Sequence, residues 1–322
     1  MGPFFGPSES TMKDFKNKVA AITGAASGMG RTLALELARR GCHLALSDVN
    51  EKGLAETAAL AGKLGVKVTT ARLDVADREA VYAWADQTAR DHGKVNLIFN
   101  NAGVALGAFV ETVKPEDFQW IMGINFWGVV WGTQAFLPHL KRAGEGHVIN
   151  TSSLFGLLSV PTNGTYNASK FAVRGYTEAL RQELDMANCG VSATCVHPGG
   201  IRTNIARTAK MDASMDHATG GQAEAARSRF DKMLNVTTAE SAALQILKAV
   251  SGNKRRVLVG PDAKLMDRAG KTIGRYFGPP ATWENQDGSK VTATQVAVAP
   301  AGTGNIPLQL VKANPAMGMG AM

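Results

Sequence analysis

Apolar and polar positions along this chain alternate between two periods. Val19–Thr23 is a short apolar run that ends in glycines, and Met29–Arg40 follows with Leu33, Leu37 and Ala38 at helical spacing and Gly41 as its stop. The exchange then repeats. Strand His43–Ser47 precedes helix Glu51–Leu64, closed by Gly65, and strand Val66–Arg72 precedes a helix over 78–91. Strand Asn96–Phe99 leads to a long helix running from Pro115, a good first-turn residue, to Arg142. Strand His147–Thr151, helix Tyr166–Ala187, strand Val191–Val196, helix Ser241–Val250 and strand Arg256–Val259 complete the series. Leu97 and Ile98 make their strand apolar on both faces, as a parallel strand covered by helices requires. The alternation predicts an α/β fold: a single Rossmann-type doubly wound domain with a seven-stranded, mainly parallel sheet and helices on both faces.

Two segments break the rhythm. The stretch 204–235 carries Met211, Met215 and Met233 and lies beyond the carboxyl end of a strand, where such sheets bind ligands, so it is expected to be a substrate loop. Lys264–Phe277 has a basic amphipathic pattern, with Leu265, Met266, Ile273 and Phe277 against Lys264, Arg268, Lys271 and Arg275. From Pro279 onward Gly, Ala, Pro, Thr and Met dominate, and that tail is expected to be largely irregular. The predicted organisation is an N-terminal lead over 1–14, a dinucleotide-binding catalytic domain over 15–262, and a C-terminal helix and tail over 263–322.

Composition adjusts this picture little. Hydrophobic residues at 45% and charged residues at 19% suit a water-soluble chain with a sizeable core. The net charge of +8 brings nucleic acid into consideration, but the cations are scattered in pairs such as Arg39/Arg40 and Lys141/Arg142, which favours solvated helix ends. Cys42, Cys189 and Cys195 form no C-x-x-C pair, consistent with buried thiols and a reducing cytoplasm. The first ten residues lack the pattern of a signal peptide, and no window reaches the length of a membrane span. His197 has no partner at metal-ligand spacing and is expected to be structural; no metal is expected.

The candidate chemistry sits at strand ends. Thr23-Gly24-Ala25-Ala26-Ser27-Gly28-Met29-Gly30 joins the first strand to its helix, where a glycine-rich turn lets peptide N–H groups and a helix N-terminus meet a pyrophosphate. Asp48 ends the second strand, eighteen residues after Gly30, suited either to accept hydrogen bonds from ribose hydroxyls or merely to cap the next helix. Tyr166 and Lys170 stand four apart on one helix face, thirteen residues after Ser153. A cation beside a phenol lowers its pKa from about 10 by roughly one to three units, bringing it toward the range a general acid/base needs.

The spacing T-G-x-x-x-G-x-G, followed by Asn100-Asn101-Ala102-Gly103, Asn125, Ser153, Tyr166-x-x-x-Lys170 and Pro198-Gly199-Gly200-Ile201-Arg202-Thr203, resembles the short-chain dehydrogenase/reductase family over about Lys18 to Gly260. The resemblance implies an NAD(P)-dependent alcohol dehydrogenase or carbonyl reductase. Tyr166 would be the general acid/base and Ser153 would polarise the substrate oxygen. Lys170 would lower the tyrosine pKa and grip the nicotinamide ribose, and Asn125 would hold a relay water. Cofactor contacts are implied for Gly24, Ser27, Gly28, Met29, Gly30, Asp48, Asp74, Val75, Asn101, Ala102, Gly103, Tyr166, Lys170, Pro198, Gly199, Ile201 and Thr203.

NADP-preferring members often carry a basic residue where this chain has Ser27 or Val49, so NAD is expected over NADP. Ser153, Tyr166, Phe155 and Ile205 are expected to meet the substrate. The apolar flanks Val104, Leu106, Leu154, Leu158 and Val160 point to a lipophilic or uncharged alcohol/ketone, with Arg202 and Arg207 the only nearby candidates for an anion clamp. The family implies a homodimer or homotetramer paired through long helices. Other readings are an NADP-dependent carbonyl reductase, a dinucleotide sensor without turnover, which would be expected to lack the tyrosine or lysine, and surface membrane association through 264–277.

Overall fold

In the computed structural model the described residues are 12–205, 207–212, 215, 236–273, 282–284 and 290–292. The chain divides at Asp267/Arg268 into two compact units. The first is built on seven parallel strands: β1 (Val19–Thr23), β2 (His43–Asp48), β3 (Val68–Arg72), β4 (Leu97–Asn100), β6 (Gly146–Thr151), β7 (Val191–Pro198) and β9 (Arg256–Val259). Their order is β3-β2-β1-β4-β6-β7-β9. The chain winds outward from β1 to β3 and then crosses to β4 on the other side, so a crevice opens between the carboxyl ends of β1 and β4. All seven predicted strands are present, with end shifts of one or two residues.

Helices α1 (Gly28–Arg39), α2 (Glu51–Gly62) and α7 (Ala239–Ser251) carry Leu33, Leu37, Leu54, Ile246 and Leu247 into one buried cluster. On the other face α3 (Arg78–His92), α5 (Gly128–Arg142) and α6 (Gly164–Ala187) bury Val81, Trp84, Phe136, Leu140, Leu180 and Leu184, with the Trp84 and Phe136 rings edge to face at 5.0 Å. Each large apolar side chain so buried contributes roughly 1.5–3 kcal/mol. Cys42 and Cys195 lie in this interior, and burial pushes both thiols up to about 12, which makes them inert at neutral pH.

The long helix expected over 115–142 is interrupted. It consists of α4 (Pro115–Met122), a π-helical turn over Gly123–Trp127, and α5. Two short strands, β5 (Leu106–Gly107) and β8 (Lys210–Met211), pair in parallel and tie the stretch after β4 to the predicted substrate loop. Lys210 also makes an ion pair with Asp117 at the start of α4. Within the stretch 204–235, Met233 and most of the loop lie outside the described residues.

The amphipathic stretch expected at 264–277 forms α8 (Pro261–Ile273); Arg275 and Phe277 lie outside the described residues. In the second unit β10 (Thr282–Glu284) and β11 (Lys290–Thr292) pair antiparallel, an element not expected of a tail read as largely irregular. Their β-branched and aromatic residues carry the strand preference that the surrounding composition obscures. The rest of that tail is outside the described residues. Among the described residues no helix is long and apolar enough to cross a membrane.

Two strand histidines bear on acid stability. His147 and His197 are buried, and burial depresses both rings, His147 to about 3 and His197 to about 4. In the unfolded chain both titrate near 6.5, so below that pH the unfolded state binds protons that the folded state refuses. Stability from this source is complete above about pH 6.5 and falls on acidification by up to roughly 1.4 kcal/mol per pH unit for each ring. Thermal denaturation at pH 7 and pH 5 measures it; equal Tm values at the two would contradict the prediction.

Candidate active site

The glycine turn leaves β1 at Thr23 and enters α1. Gly24 has φ +67°, and a Cβ on Gly30 would come 2.0 Å from the Gly24 carbonyl oxygen, so only glycine lets α1 start this close to the turn. Asn101 and Ala102 hold the other side. Their peptide N–H groups donate to Thr23 Oγ1, both at 3.0 Å, and Asn101 Nδ2 donates to the Thr23 carbonyl at 3.0 Å.

Asp48 accepts from the Ala26 N–H at 2.9 Å and from the Asn50 N–H at 2.9 Å. The helix-cap alternative for Asp48 is not what forms: Asn50 caps α2, accepting from the Gly53 N–H at 3.1 Å. Arg31, which the sequence reading did not single out, donates to the Ala26 carbonyl at 2.6 Å and to Glu56 at 3.0 Å. Arg31, one residue after Gly30, is therefore engaged within the protein. Asp74 is exposed after β3, and Val75 beside it packs on Gly128 of α5.

Asn125 occupies the π-helical turn and is fully buried. Its Oδ1 accepts the Val104 N–H at 2.8 Å, and its Nδ2 donates to the Val104 carbonyl at 3.0 Å and to Ser169 Oγ at 3.2 Å. A π-turn at such a place is typical of sites where one side chain must be re-aimed. Here it resolves the discomfort of an amide among apolar neighbours by giving that amide a complete peptide to bond.

Ser153 follows β6 and opens a short 3-10 turn, Leu154–Gly156; its Oγ accepts the Phe155 N–H at 3.1 Å. Tyr166 and Lys170 project from the first turns of α6. Tyr166 and Ser153 face the same cavity, and the Tyr166 ring meets Phe155 edge to face at 6.2 Å. Lys170 is buried, donates to the Thr151 carbonyl at 3.0 Å, and lies 5.7 Å from the centre of the Tyr166 ring.

Burial dominates both ionisations. It pushes Lys170 down to about 8 and holds Tyr166 above the ordinary phenol range, with the Ser153 hydroxyl pulling the other way. The lowered tyrosine pKa expected from the Y-x-x-x-K spacing is thus reversed in the protein alone, because desolvation of the phenolate dominates. His197 is buried in β7, as expected of a structural histidine; its Nδ1 lies 2.9 Å from the Ser153 carbonyl, anchoring that backbone.

These groups surround one cavity of about 360 Å³. Met29, Asn101, Gly103, Ser153, Phe155, Tyr166 and Lys170 line it, together with Pro198, Gly199, Ile201, Thr203 and Ile205. Gly24, Ser27, Gly28, Gly30, Asp48, Asp74, Val75, Ala102 and Asn125 stand outside that lining. Arg202 and Arg207 are not in it either; among the described residues its charged lining is Lys170 and Asp262. Lining residues missed as site residues include Ala105, Thr151, Ser152, Asn163, Val236, Asp262 and Met266. Asp262 carried a usable signal, since it comes close after the carboxyl end of β9, as Asp48 stands at the carboxyl end of β2.

Comparison with known proteins gives a consistent result. A family model described as short chain dehydrogenase matches residues 18–214, and a second, described only as a protein of unknown function, matches 210–322. "Putative oxidoreductase SadH" of Mycobacterium tuberculosis is 48% identical over 266 residues, covering 83% of this chain and 94% of that protein. A short chain dehydrogenase/reductase from Burkholderia phymatum, solved in complex with NAD, aligns with a TM-score of 0.75 at 32% identity, covering 84% of this chain and 100% of that one. Carveol dehydrogenase from Mycobacterium avium, also in complex with NAD, aligns with a TM-score of 0.66 at 26% identity, covering 77% and 99%.

Proposed function

This chain belongs to the short-chain dehydrogenase/reductase family, and on that premise we propose that it transfers a hydride between NAD(H) and a lipophilic or uncharged secondary alcohol/ketone pair. The observation that carries the reading is the meeting of Ser153, Tyr166 and Lys170 on one cavity whose other wall is apolar, with Leu154, Phe155, Leu158, Val160 and Met266. The name of the carveol dehydrogenase and the NAD in both related structures support it.

The residues present fit a dinucleotide. Asn101 lines the cavity with a buried Oδ1 that has no hydrogen-bond partner within the protein, and the glycine turn and α1 N-terminus offer peptide N–H groups to phosphates. Asp48 would accept from ribose hydroxyls, and its negative charge would oppose a 2′-phosphate. Gly199, Ile201 and Thr203 would hold the nicotinamide end. When bound, the dinucleotide supplies the hydride acceptor or donor.

The protein's part is proton handling and polarisation. Ser153 donates to the substrate oxygen and stabilises charge developing there. Tyr166 takes the alcohol proton in oxidation and returns it in reduction. Lys170 stabilises the phenolate by its charge, and Asn125 keeps the Val104 segment beside it in place. A non-catalytic sensor has no need of a serine and a tyrosine on one cavity beside a lysine buried at such cost.

A panel of ketones and secondary alcohols followed by NADH absorbance tests the reading. Turnover of apolar members with NADH, and little with carboxylated ones, is the expected outcome; no turnover of any member would count against it. Asp48→Ala is expected to cut the preference for NADH over NADPH by roughly tenfold or more, since a like-charge repulsion and ribose hydrogen bonds are lost together. A parent enzyme that already prefers NADPH would refute the role given to Asp48.

A further inference from the structure

We propose that Asp262 is a positioning residue for the turn Gly199–Thr203, setting how that turn meets the nicotinamide end of the cofactor. The inference rests on the cofactor reading given above. Asp262 is the second residue of α8, and its Oδ2 accepts the Gly200 N–H at 2.6 Å. The slot it fills exists only because two residues lack side chains. A Cβ on Gly199 would stand 2.2 Å from Oδ2, and one on Gly260 would stand 2.6 Å from Oδ1.

Backbone bonds secure the rest of the turn. The Gly199 N–H donates to the Val259 carbonyl at 2.9 Å, the Thr237 N–H to the Gly200 carbonyl at 2.9 Å, and the Arg202 N–H to the Thr237 carbonyl at 2.8 Å. Among these ties the bond to Asp262 is the one made by a carboxylate, and charge-assisted hydrogen bonds are about twice as strong as neutral ones. A carboxylate in the first turn of a helix is itself favoured by the helix dipole. Four residues on, Met266 packs against the cluster of Leu154, Phe155 and Leu158. One helix turn therefore joins the cofactor turn to the apolar wall of the cavity. Asp262 takes no part in the proton handling assigned to Ser153, Tyr166 and Lys170, so its effect runs through Gly200.

The test compares two ligands on the full chain by calorimetry: NADH, and ADP-ribose, which lacks the nicotinamide. Asp262→Ala is expected to weaken NADH binding by roughly tenfold while ADP-ribose binding stays within about twofold, because Gly200 lies in the part of the turn assigned to the nicotinamide end. Asp262→Asn keeps an oxygen acceptor for the Gly200 N–H and is expected to recover NADH binding to within about threefold of the parent. If the alanine variant does not fold, Asp262→Ser, too short to reach Gly200, is read in its place. Equal losses for both ligands would mark a general structural role and overturn the proposal, as would unchanged NADH binding. Failure of the parent to bind NADH at all would overturn the cofactor reading, and this assignment with it.

Discussion

Tyr166→Phe is expected to reduce kcat by roughly 10²–10⁴-fold, the usual contribution of a general acid/base, while NADH binding remains close to that of the parent. The substitution removes one oxygen and leaves the ring's edge-to-face contact with Phe155 in place. The Ser153 hydroxyl stays anchored by the Phe155 N–H. Folding should therefore be nearly unaffected, and steady-state kinetics beside NADH titration separate chemistry from binding. Residual activity within tenfold of the parent would remove Tyr166 from the role of proton donor and acceptor.

The second large effect is expected at Lys170. Lys170→Met keeps most of the buried volume and removes the cation 5.7 Å from the ring of Tyr166, whose phenolate burial already disfavours. Alcohol oxidation should fall at neutral pH by roughly 10²-fold or more, and its pH–rate profile should shift toward alkaline values, because the phenolate then forms only at higher pH. The sign distinguishes this role from a structural one: a lysine that merely packed would lower activity without moving the profile. A variant with the parent's pH dependence would refute the electrostatic role.

Much of the site could be read along the chain, for reasons tied to distance. The glycine turn works through consecutive residues, Tyr166 and Lys170 share a helix face through a four-residue spacing, and Ser153 lies directly after a strand. Where residues act through neighbours in the chain, spacing carries the geometry. The limits are equally specific. Asn125 was recognisable by its position but not by its partner, because Val104 is brought to it by the close of β4 and a π-turn that no periodicity announces. Asp262 was passed over because its meaning depends on Gly200, sixty-two residues earlier in the chain. Met266 could be seen as one apolar position of an amphipathic helix, but not as a wall of the cavity.

The alternation of apolar runs was enough to determine the doubly wound sheet, since burying strands on both faces and helices on one leaves few other arrangements for this pattern. The motifs likewise determined which residues stand at the carboxyl ends of the strands. Only the tertiary structure decided how those residues ionise. A Y-x-x-x-K spacing predicts a depressed phenol pKa, yet in the folded protein burial raises Tyr166 and lowers Lys170 to about 8. Spacing fixes which charges are near each other, but desolvation depends on everything packed around them, and that is a property of the whole fold.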